Sequence, residues 1–460
     1  MVKVRFAPSP TGPFSLGNAR TALFNWLFAR HEGGQFLLRI EDTDKERSQK
    51  KFEKEIINSL IWLGLNWHGS IVYQSQRLEI YKRYLGKLLK EGWAYYCNCS
   101  LEMLEAERQA QLSQGLAPKY SGRCRNLNNT SGVIRFKMPA KIISFHDLIR
   151  GNIKFDTSLL GDIVIAKSLE EPLYNFAVVV DDWEMGITQV IRGEDHISNT
   201  PKQLILQEVL NIKPPKYAHL PLILTPDRKK LSSRFLQKSF GDYKKDGYLA
   251  EAMLNFLVLL GWHPVQDREI LSLEEMIAEF DLGRVQKAGA VFNQTKLDWL
   301  NAYYLRHLEI NKLLERLKPF VSSRWLKKKN LLKKVIEIEK ERLKSLKDFA
   351  QLSQFFFKIK DYPASLLIWE NTPSQKIRSN LETVANFIKS KARGELLKPE
   401  FEKEIFLLAQ KEGRGEILWP LRVALSGKKS SPGPLEIIKT LGKTESLKRI
   451  NLALKKLKNS

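Results

Sequence analysis

A strand, a loop rich in proline and glycine, and a helix follow one another at the start of the chain, and this order constrains the fold more than any other feature. VKVRF predicts a strand, PSPTGPFSLGN a loop, and residues 18–32 a helix that Gly33 and Gly34 end. Such a loop directs backbone N–H groups and the positive end of the helix dipole to one point. The pattern therefore predicts a phosphate-binding loop, although taken alone it also fits a plain turn.

Alternating strands and helices continue through the first part of the chain. QFLLRIED predicts a strand and residues 45–64 a helix, which together give the βαβ rhythm of a parallel sheet covered by helices. Residues 132–180 hold three strand-like runs, GVIRFKM, GDIVIAK and FAVVVDD, and predict an inserted α+β segment. IRGEDHISNTPKQLILQEVL returns to strand and helix, so we expect the sheet to resume there. From about residue 245 the pattern is helical.

Positive charge is concentrated in the last third of the chain. Residues 301–460 contain 35 Lys and Arg against 17 Asp and Glu, so +18 of the formal net charge of +24 lies there. The excess fits either a polyanion-binding domain, most simply for RNA or DNA, or a solvated lysine-rich helical surface. No apolar run is long enough to span a membrane, and no signal-peptide layout or disulfide framework is evident, so we expect a cytosolic protein.

Longer runs carry a resemblance to a known family. They are, in order, RFAPSPTGPFSLGNARTALFNWLFAR with LLRIEDTD, PLYNFAVVVDDWEMGITQVIRGEDHISNTPKQ, LNFLVLLGWHP, VFNQTKLDWLN and LWPLRVALSGKKSSPGPLEIIKTLGK. Together they resemble the bacterial glutamyl-tRNA synthetases, which are class I aminoacyl-tRNA synthetases. The resemblance spans nearly the whole chain. It implies an α/β fold in which a Rossmann-type parallel-sheet catalytic domain carries an inserted α+β acceptor-binding domain and is followed by an all-α anticodon-binding domain.

The resemblance also implies domain limits. The catalytic domain would comprise residues 1–70 and 181–225, with the acceptor-binding insertion at 71–180. A stem-contact region would follow at 226–310, and the helical anticodon-binding domain at 311–460.

The implied activity is ATP- and Mg²⁺-dependent ligation of L-glutamate to tRNA-Glu, by a protein that acts as a monomer in the cytoplasm. Glutamate attacks the α-phosphate of ATP, and the glutamyl group of the adenylate then passes to the 3′ end of the tRNA. No covalent enzyme intermediate forms, so positioning and electrostatics must carry catalysis. A glutamate side chain requires a cation, and arginine suits bidentate pairing. The family's glutamate contacts correspond here to Arg5, Ser9, Glu41, Tyr174 and Arg192, with Glu41 facing the amino group.

The first signature motif of the family is altered in this sequence. Ser15 stands where the family usually has the histidine of its HIGH motif, while Gly17 is kept and Asn18 takes the last position. Serine can donate one neutral hydrogen bond but brings no charge to the ATP phosphates.

The second signature motif, KLSSRFLQKS at residues 230–239, is altered too. Ser233 replaces a lysine that normally neutralises the triphosphate, and losing one such donor typically costs about 100- to 1,000-fold in rate. Neighbouring cations offer compensation, namely Arg228, Lys229, Arg234 and Lys238. By resemblance, catalytic roles fall to Ser15, Gly17, Asn18, Lys230, Ser233 and Arg234. The implied ATP contacts are Pro8, Thr11, Gly12, Gly17, Lys230, Leu231 and Ser232.

All three cysteines fall in one window, Cys97-Asn98-Cys99 and Cys124. This grouping favours a zinc knuckle over three free, partly buried thiols. The family has a structural Zn²⁺ site in its acceptor-binding insertion, and the resemblance makes Tyr120 the candidate fourth ligand.

Two residues of the EDTDKER run are candidate contacts for the tRNA acceptor end, Asp44 and Arg47. For Asp44 the alternative is an N-cap of the helix predicted from Lys45.

Three other functions stay open at this point. The changes at Ser15 and Ser233 fit a catalytically impaired, tRNA-binding paralogue. A tRNA-modifying relative that glutamylates queuosine is a second alternative, but the 150-residue helical end argues against it. A generic Rossmann nucleotide binder is the third, and it leaves most of the matched sequence unexplained.

Overall fold

The computed structural model describes residues 1–231 and 238–458, which form two compact units. Unit 1 comprises residues 1–244 and 250–297, and unit 2 comprises residues 245–249 and the chain from 298 onward. The strands of unit 1 are β1 (Lys3–Phe6), β2 (Gln35–Ile40), β3 (Val72–Tyr73), β4 (Ala94–Cys97), β5 (Val133–Phe136), β6 (Ile142–Asp147), β7 (Gly151–Asp156), β8 (Ile163–Ser168), β9 (Glu171–Pro172), β10 (Gln189–Gly193), β11 (Lys216–Leu220), β12 (Ile223–Leu224) and β13 (Ala290–Val291).

The helices of the first part of the chain lie between and after these strands. They are α1 (Leu16–His31), α2 (Lys50–Leu63), α3 (Leu78–Lys90), α4 (Leu101–Ser113), α5 (Tyr174–Glu184), α6 (Thr200–Val209), α7 (Phe240–Lys245), α8 (Ala250–Val258) and α9 (Leu273–Glu279).

Parallel strands form the centre of unit 1, as predicted from the βαβ rhythm. β1, β2 and β3 pair in parallel, and so do β10, β11 and β6. Lys3 and Thr188 connect the two groups, because the Lys3 N–H donates to Thr188 Oγ1 at 2.8 Å and the Thr188 N–H donates to the Lys3 carbonyl at 2.9 Å. The carboxyl ends of β1, β2 and β10 therefore meet at one edge, where ligands bind in open parallel sheets.

An antiparallel sheet, in the order β4-β5-β8-β9, forms the inserted segment. Its apolar face packs into a core that includes Tyr81 of α3, Phe136 of β5 and Phe176 of α5. The hairpin β6–β7 does not join this sheet. It pairs instead with β11, so part of the insertion extends the parallel sheet.

Two of the local predictions are wrong. FAVVVDD forms the middle of α5 rather than a strand, and Phe176–Asp182 are all buried. A helix enclosed on all sides has no polar face, so its periodicity resembles that of a buried strand. The second predicted helix begins at Lys50 instead of Lys45, and Asp44 is not its N-cap. The Asp44 carbonyl instead accepts from the Ser48 N–H at 2.9 Å, in a turn that precedes α2.

The remaining helices are those predicted for the C-terminal part. They are α10 (Gln294–His307), α11 (Ile310–Leu317), α12 (Ser323–Leu326), α13 (Lys329–Glu339), α14 (Asp348–Phe357), α15 (Ser374–Ser390), α16 (Pro399–Glu412), α17 (Arg414–Ser426) and α18 (Pro434–Lys458). α18 is broken at Gly442, whose φ of 76° is outside the helical range. Among the described residues, no helix combines the length and apolarity needed to cross a membrane.

Candidate active site

A cavity of about 1140 Å³ opens at the carboxyl edge of the parallel strands in unit 1. The loop between β1 and α1 forms one wall, and residues that follow β2 and β10 form others. The predicted residues that line it are Arg5, Pro8, Ser9, Thr11, Ser15, Gly17, Asn18, Glu41, Asp44, Arg47, Tyr174, Arg192, Lys230 and Leu231. Among the described residues, Gly12 is the predicted ATP contact that does not line the cavity. Ser232, Ser233 and Arg234 lie outside the described residues.

Ser15 is the N-cap of α1. Its backbone is extended, at φ −98° and ψ 164°, and its Oγ accepts a hydrogen bond from the Asn18 N–H at 3.1 Å. Capping satisfies one of the N–H groups that the first helical turn leaves without an intrahelical partner. The bond does not use the hydroxyl proton, so Ser15 can still donate into the cavity at the positive end of the helix dipole.

Arg5 and Glu41 are joined by a buried charge network. Asp182 of α5 lies 3.1 Å from Arg5 Nε and 2.7 Å from Arg39 Nη1, and Arg39 Nη2 lies 3.0 Å from Glu41 Oε1. Burial alone would raise the pKa of Asp182, but Arg5 and Arg39 hold that pKa below its usual range. Burial raises the pKa of Glu41, although Arg39 and Arg5 oppose it. The network fixes Arg5 and Glu41 at the cavity wall before any ligand binds.

Arg192 is fixed differently, by neutral groups. Its Nη2 donates to Thr200 Oγ1 at 2.9 Å, its Nε to His219 Nε2 at 3.2 Å, and its Nη1 to Tyr174 Oη at 3.4 Å. Burial raises the pKa of Tyr174, so its hydroxyl keeps its proton. Among the described residues, Arg192 thus lines the cavity without the direct carboxylate partner that Arg5 has.

The cavity also carries groups that the sequence prediction did not include. His196 Nδ1 lies 3.0 Å from Tyr174 Oη. Burial, together with the smaller effect of repulsion from Arg192, lowers the pKa of His196 to about 4. Asp195 lines the cavity, and its Oδ2 lies 3.5 Å from Lys230 Nζ. Both follow β10 in the run GEDH, and their place at the end of a predicted parallel strand could have identified them as site residues from the sequence.

Of the cations predicted to compensate for Ser233, the cavity lining includes Lys238. Lys238 Nζ lies 5.7 Å from the ring centroid of Tyr243. Lys229 instead pairs with Asp227, at 3.1 Å, and is 82% exposed. Asp44 and Arg47 are a loose, exposed pair at 3.8 Å on the cavity wall.

The three cysteines converge in unit 1, away from the cavity lining. Their sulfur atoms all lie within 4.8 Å of one another, and Tyr120 Oη is 3.4 Å from Cys97 Sγ and 3.6 Å from Cys99 Sγ. Burial opposes ionisation of Cys97, but the Tyr120 hydroxyl, the Cys99 backbone and Arg135 together lower the pKa of Cys97 to about 7. Converging thiol groups of this kind fit the donor set of a tetrahedral Zn²⁺ site.

Family models match both parts of the chain. Residues 1–299 match the catalytic domain of class I tRNA synthetases (E and Q), and residues 312–454 match an anticodon binding domain.

Full-length relatives agree with this match. A protein named glutamate–tRNA ligase 2 from Thermoanaerobacter pseudethanolicus is 41% identical, with 98% of each chain covered. Glutamate–tRNA ligase from Sulfurihydrogenibium sp. is 43% identical and covers 96% of this chain and 97% of its own length. The crystal structure of a glutamate tRNA ligase from Elizabethkingia meningosepticum, in complex with its amino acid, superimposes with a TM-score of 0.86 at 35% identity over 99% of both chains. This chain therefore belongs to the class I tRNA synthetases (E and Q), among the glutamate–tRNA ligases.

Proposed function

We propose that this chain catalyses the ATP-dependent ligation of L-glutamate to tRNA-Glu. One observation carries the proposal: a single cavity has the capped N-terminus of α1 on its wall together with Arg5, Glu41 and Arg192. A helix N-terminus suits a phosphate, and the two guanidinium groups with one carboxylate suit a dicarboxylic amino acid.

In the first step, an oxygen of the glutamate α-carboxylate attacks the α-phosphorus of ATP and pyrophosphate leaves. Arg192, which has neutral partners, and Arg5 would hold the side-chain carboxylate, while Glu41 would accept from the α-ammonium group. Tyr174 and Ser9 complete the proposed glutamate contacts. Because the chain's groups are fixed beforehand, they orient the attacking oxygen at little further cost in entropy.

ATP would lie along the loop formed by Pro8, Thr11 and Gly12 and the start of α1. The backbone N–H groups there, the Ser15 hydroxyl, Lys230 and Lys238 would stabilise charge on the phosphates. Mg²⁺ supplies further charge neutralisation when it is bound with ATP. Gly17, Asn18, Leu231, Ser232, Ser233 and Arg234 remain proposed contacts of the same site.

In the second step, a ribose hydroxyl of the tRNA 3′-terminal adenosine attacks the activated carbonyl and AMP leaves. Asp44 and Arg47 lie on the cavity wall, where a tRNA 3′ end could approach the adenylate. The match of residues 312–454 to an anticodon binding domain supports tRNA as the partner, and the excess of Lys and Arg after residue 300 would neutralise its phosphates. We place the reaction in the cytoplasm, where tRNA is used, and propose a monomer.

A structural Zn²⁺ would be held by Cys97, Cys99, Cys124 and the Tyr120 hydroxyl. Bound there, it would cross-link the end of β4 to the 120–124 segment and so stabilise the inserted sheet.

The catalytically impaired paralogue is the less favoured alternative, because the full-length relatives are named as ligases and the proposed glutamate contacts Arg5, Glu41 and Arg192 line one cavity. The test is glutamate-dependent ATP–pyrophosphate exchange with tRNA-Glu present. We expect exchange above background that is lost in Arg192→Ala. Background exchange by a wild-type protein that still binds tRNA would overturn the ligase assignment in favour of the paralogue.

A further inference from the structure

Three neighbouring parallel strands place a chain of side chains behind the cavity. β6 ends at Asp147, His219 lies on β11, and Arg192 lies on β10 directly opposite His219 in the strand register. His219 Nδ1 is 2.6 Å from Asp147 Oδ2, and His219 Nε2 is 3.2 Å from Arg192 Nε. Asp147 and His219 are both fully buried. They are not among the residues that line the cavity, whereas Arg192 is.

The chemistry of arginine fixes the proton positions in this chain. A guanidinium can only donate, so His219 Nε2 must accept from Arg192 Nε. The proton of the neutral ring is therefore on Nδ1 and is donated to Asp147. Burial lowers the pKa of His219, which is consistent with a neutral ring.

Asp147 itself cannot rotate freely. Its Oδ1 accepts from the Ile149 N–H at 3.0 Å and the Arg150 N–H at 2.8 Å, which leaves Oδ2 to face the imidazole. Thr200 Oγ1 also helps to fix both side chains, because it lies 3.1 Å from His219 Nε2 and 2.9 Å from Arg192 Nη2.

We propose that Asp147 and His219 are positioning residues that hold Arg192 in the orientation needed to bind the acidic side chain of the substrate. This inference rests on the proposed function. His219 holds the guanidinium through a neutral ring, and no carboxylate of the described part of the chain contacts Arg192 directly and cancels its charge. Asp182 does the opposite for Arg5, since it contacts that guanidinium directly.

Asp147→Asn is the sharpest test, because it alters which ring nitrogen of His219 is protonated while it leaves the shape of the side chain at residue 147 almost unchanged. The backbone N–H groups of Ile149 and Arg150 would retain the amide oxygen, so the amide NH₂ would face His219 Nδ1. Nδ1 must then accept, and the proton moves to Nε2, where it opposes the Arg192 Nε–H. We expect the KM for glutamate to rise by about 10- to 100-fold, with the KM for ATP changed by less than about threefold.

Two substitutions at His219, to Gln and to Asn, give a second and independent test. Glutamine can place its amide oxygen near the position of Nε2 and still accept from Arg192. Asparagine can keep the bond to Asp147 but does not reach Arg192. We therefore expect His219→Asn to raise the KM for glutamate at least about fivefold more than His219→Gln does.

Direct binding separates this inference from the ligase assignment. Calorimetric titration of L-glutamate into each full-length protein requires no catalysis, and the rank of affinities should be wild type, His219→Gln, then His219→Asn and Asp147→Asn. An unchanged glutamate affinity in folded Asp147→Asn, or no difference between the two His219 variants, would show that Asp147 and His219 only stabilise the fold. Thermal unfolding of each variant identifies folded protein, and the His219 pair decides the question if Asp147→Asn does not fold.

Discussion

Asp182 neutralises two arginines at once: its carboxylate lies 2.7 Å from Arg39 Nη1 and 3.1 Å from Arg5 Nε. Arg39 is fully buried and belongs to β2, Arg5 to β1, and Asp182 to α5. One side chain therefore connects the first strand, the second strand and a helix that follows them by more than a hundred residues.

Removing this carboxylate should be costly. Asp182→Ala would leave two buried guanidinium groups with less counter-charge, and we expect the free energy of unfolding to fall by about 3–5 kcal/mol. Urea denaturation measures the change. Glu184→Gln on the same helix is the matched control, because its pair with Arg83 is exposed and should contribute less than about 1 kcal/mol. Equal losses in the two variants would contradict a central role for Asp182.

The cap and the proposed catalytic role of Ser15 can be separated. Ser15→Ala removes the acceptor for the Asn18 N–H and should lower the free energy of unfolding by about 1 kcal/mol. Ser15→Asp keeps a capping oxygen but places a negative charge beside the proposed phosphate site. We expect it to be the more stable variant and the less active one in pyrophosphate exchange. If Ser15→Asp is as active as wild type, the phosphates do not approach the start of α1.

Lys238 lines the cavity and is therefore our candidate to replace the family's missing lysine. We expect Lys238→Ala to reduce the rate of pyrophosphate exchange by about 10- to 100-fold, because a preorganised charge at the phosphates is lost. Lys229→Ala is the matched control, since Lys229 is exposed and paired with Asp227, and its rate should stay within about twofold of wild type. Equal rates for the two variants would exclude Lys238 from the compensating role.

The zinc proposal predicts about one Zn²⁺ per chain by elemental analysis. Cys99→Ser should lose most of it, because Cys99 Sγ lies 3.4 Å from Cys124 Sγ in the converging set. Tyr120→Phe tests the fourth ligand and should weaken Zn²⁺ affinity at least about tenfold in a chelator competition. Tyr95→Phe is the control, since the Tyr95 hydroxyl donates to Asp162 at 2.7 Å instead of facing the thiols. Full Zn²⁺ retention by Tyr120→Phe would mean that another donor completes the site.

His196 makes the protein sensitive to acid. Its pKa is about 4 in the folded protein against about 6.5 in an unfolded chain. Between these values the unfolded state binds a proton that the folded state does not, so stability falls as the pH drops from 6.5 towards 4, by up to about 3 kcal/mol. His196→Gln should remove much of this loss in denaturation curves recorded from pH 7 to pH 4. His146→Gln, at an exposed position on β6, is the control substitution for the loss of a histidine and is measured over the same pH range.

Local signals in the sequence predicted the elements that form the cavity wall better than the buried residues behind it. The strand, loop and helix around Ser15 and the position of Glu41 after β2 follow from turn residues and the end of an apolar run. FAVVVDD was assigned wrongly because this segment of α5 is buried on all sides, and a run of buried valines is equally typical of a buried strand. Arg39, Asp182 and His219 carry no local signal, because Arg39 lies 143 residues from Asp182 and His219 lies 72 residues from Asp147, and only the folded sheet brings each of these pairs together.

The hairpin β6–β7 has a practical consequence for engineering. Because Asp147 lies in the segment between the two halves of the parallel sheet, swapping residues 71–180, the proposed acceptor-binding insertion, for the corresponding piece of another synthetase would replace the support of Arg192 as well as the proposed tRNA contacts. Chimeras joined at those borders would thus change the support of Arg192 and the proposed tRNA contacts together. A design meant to change only the proposed tRNA contacts should keep β6–β7 with its native sheet.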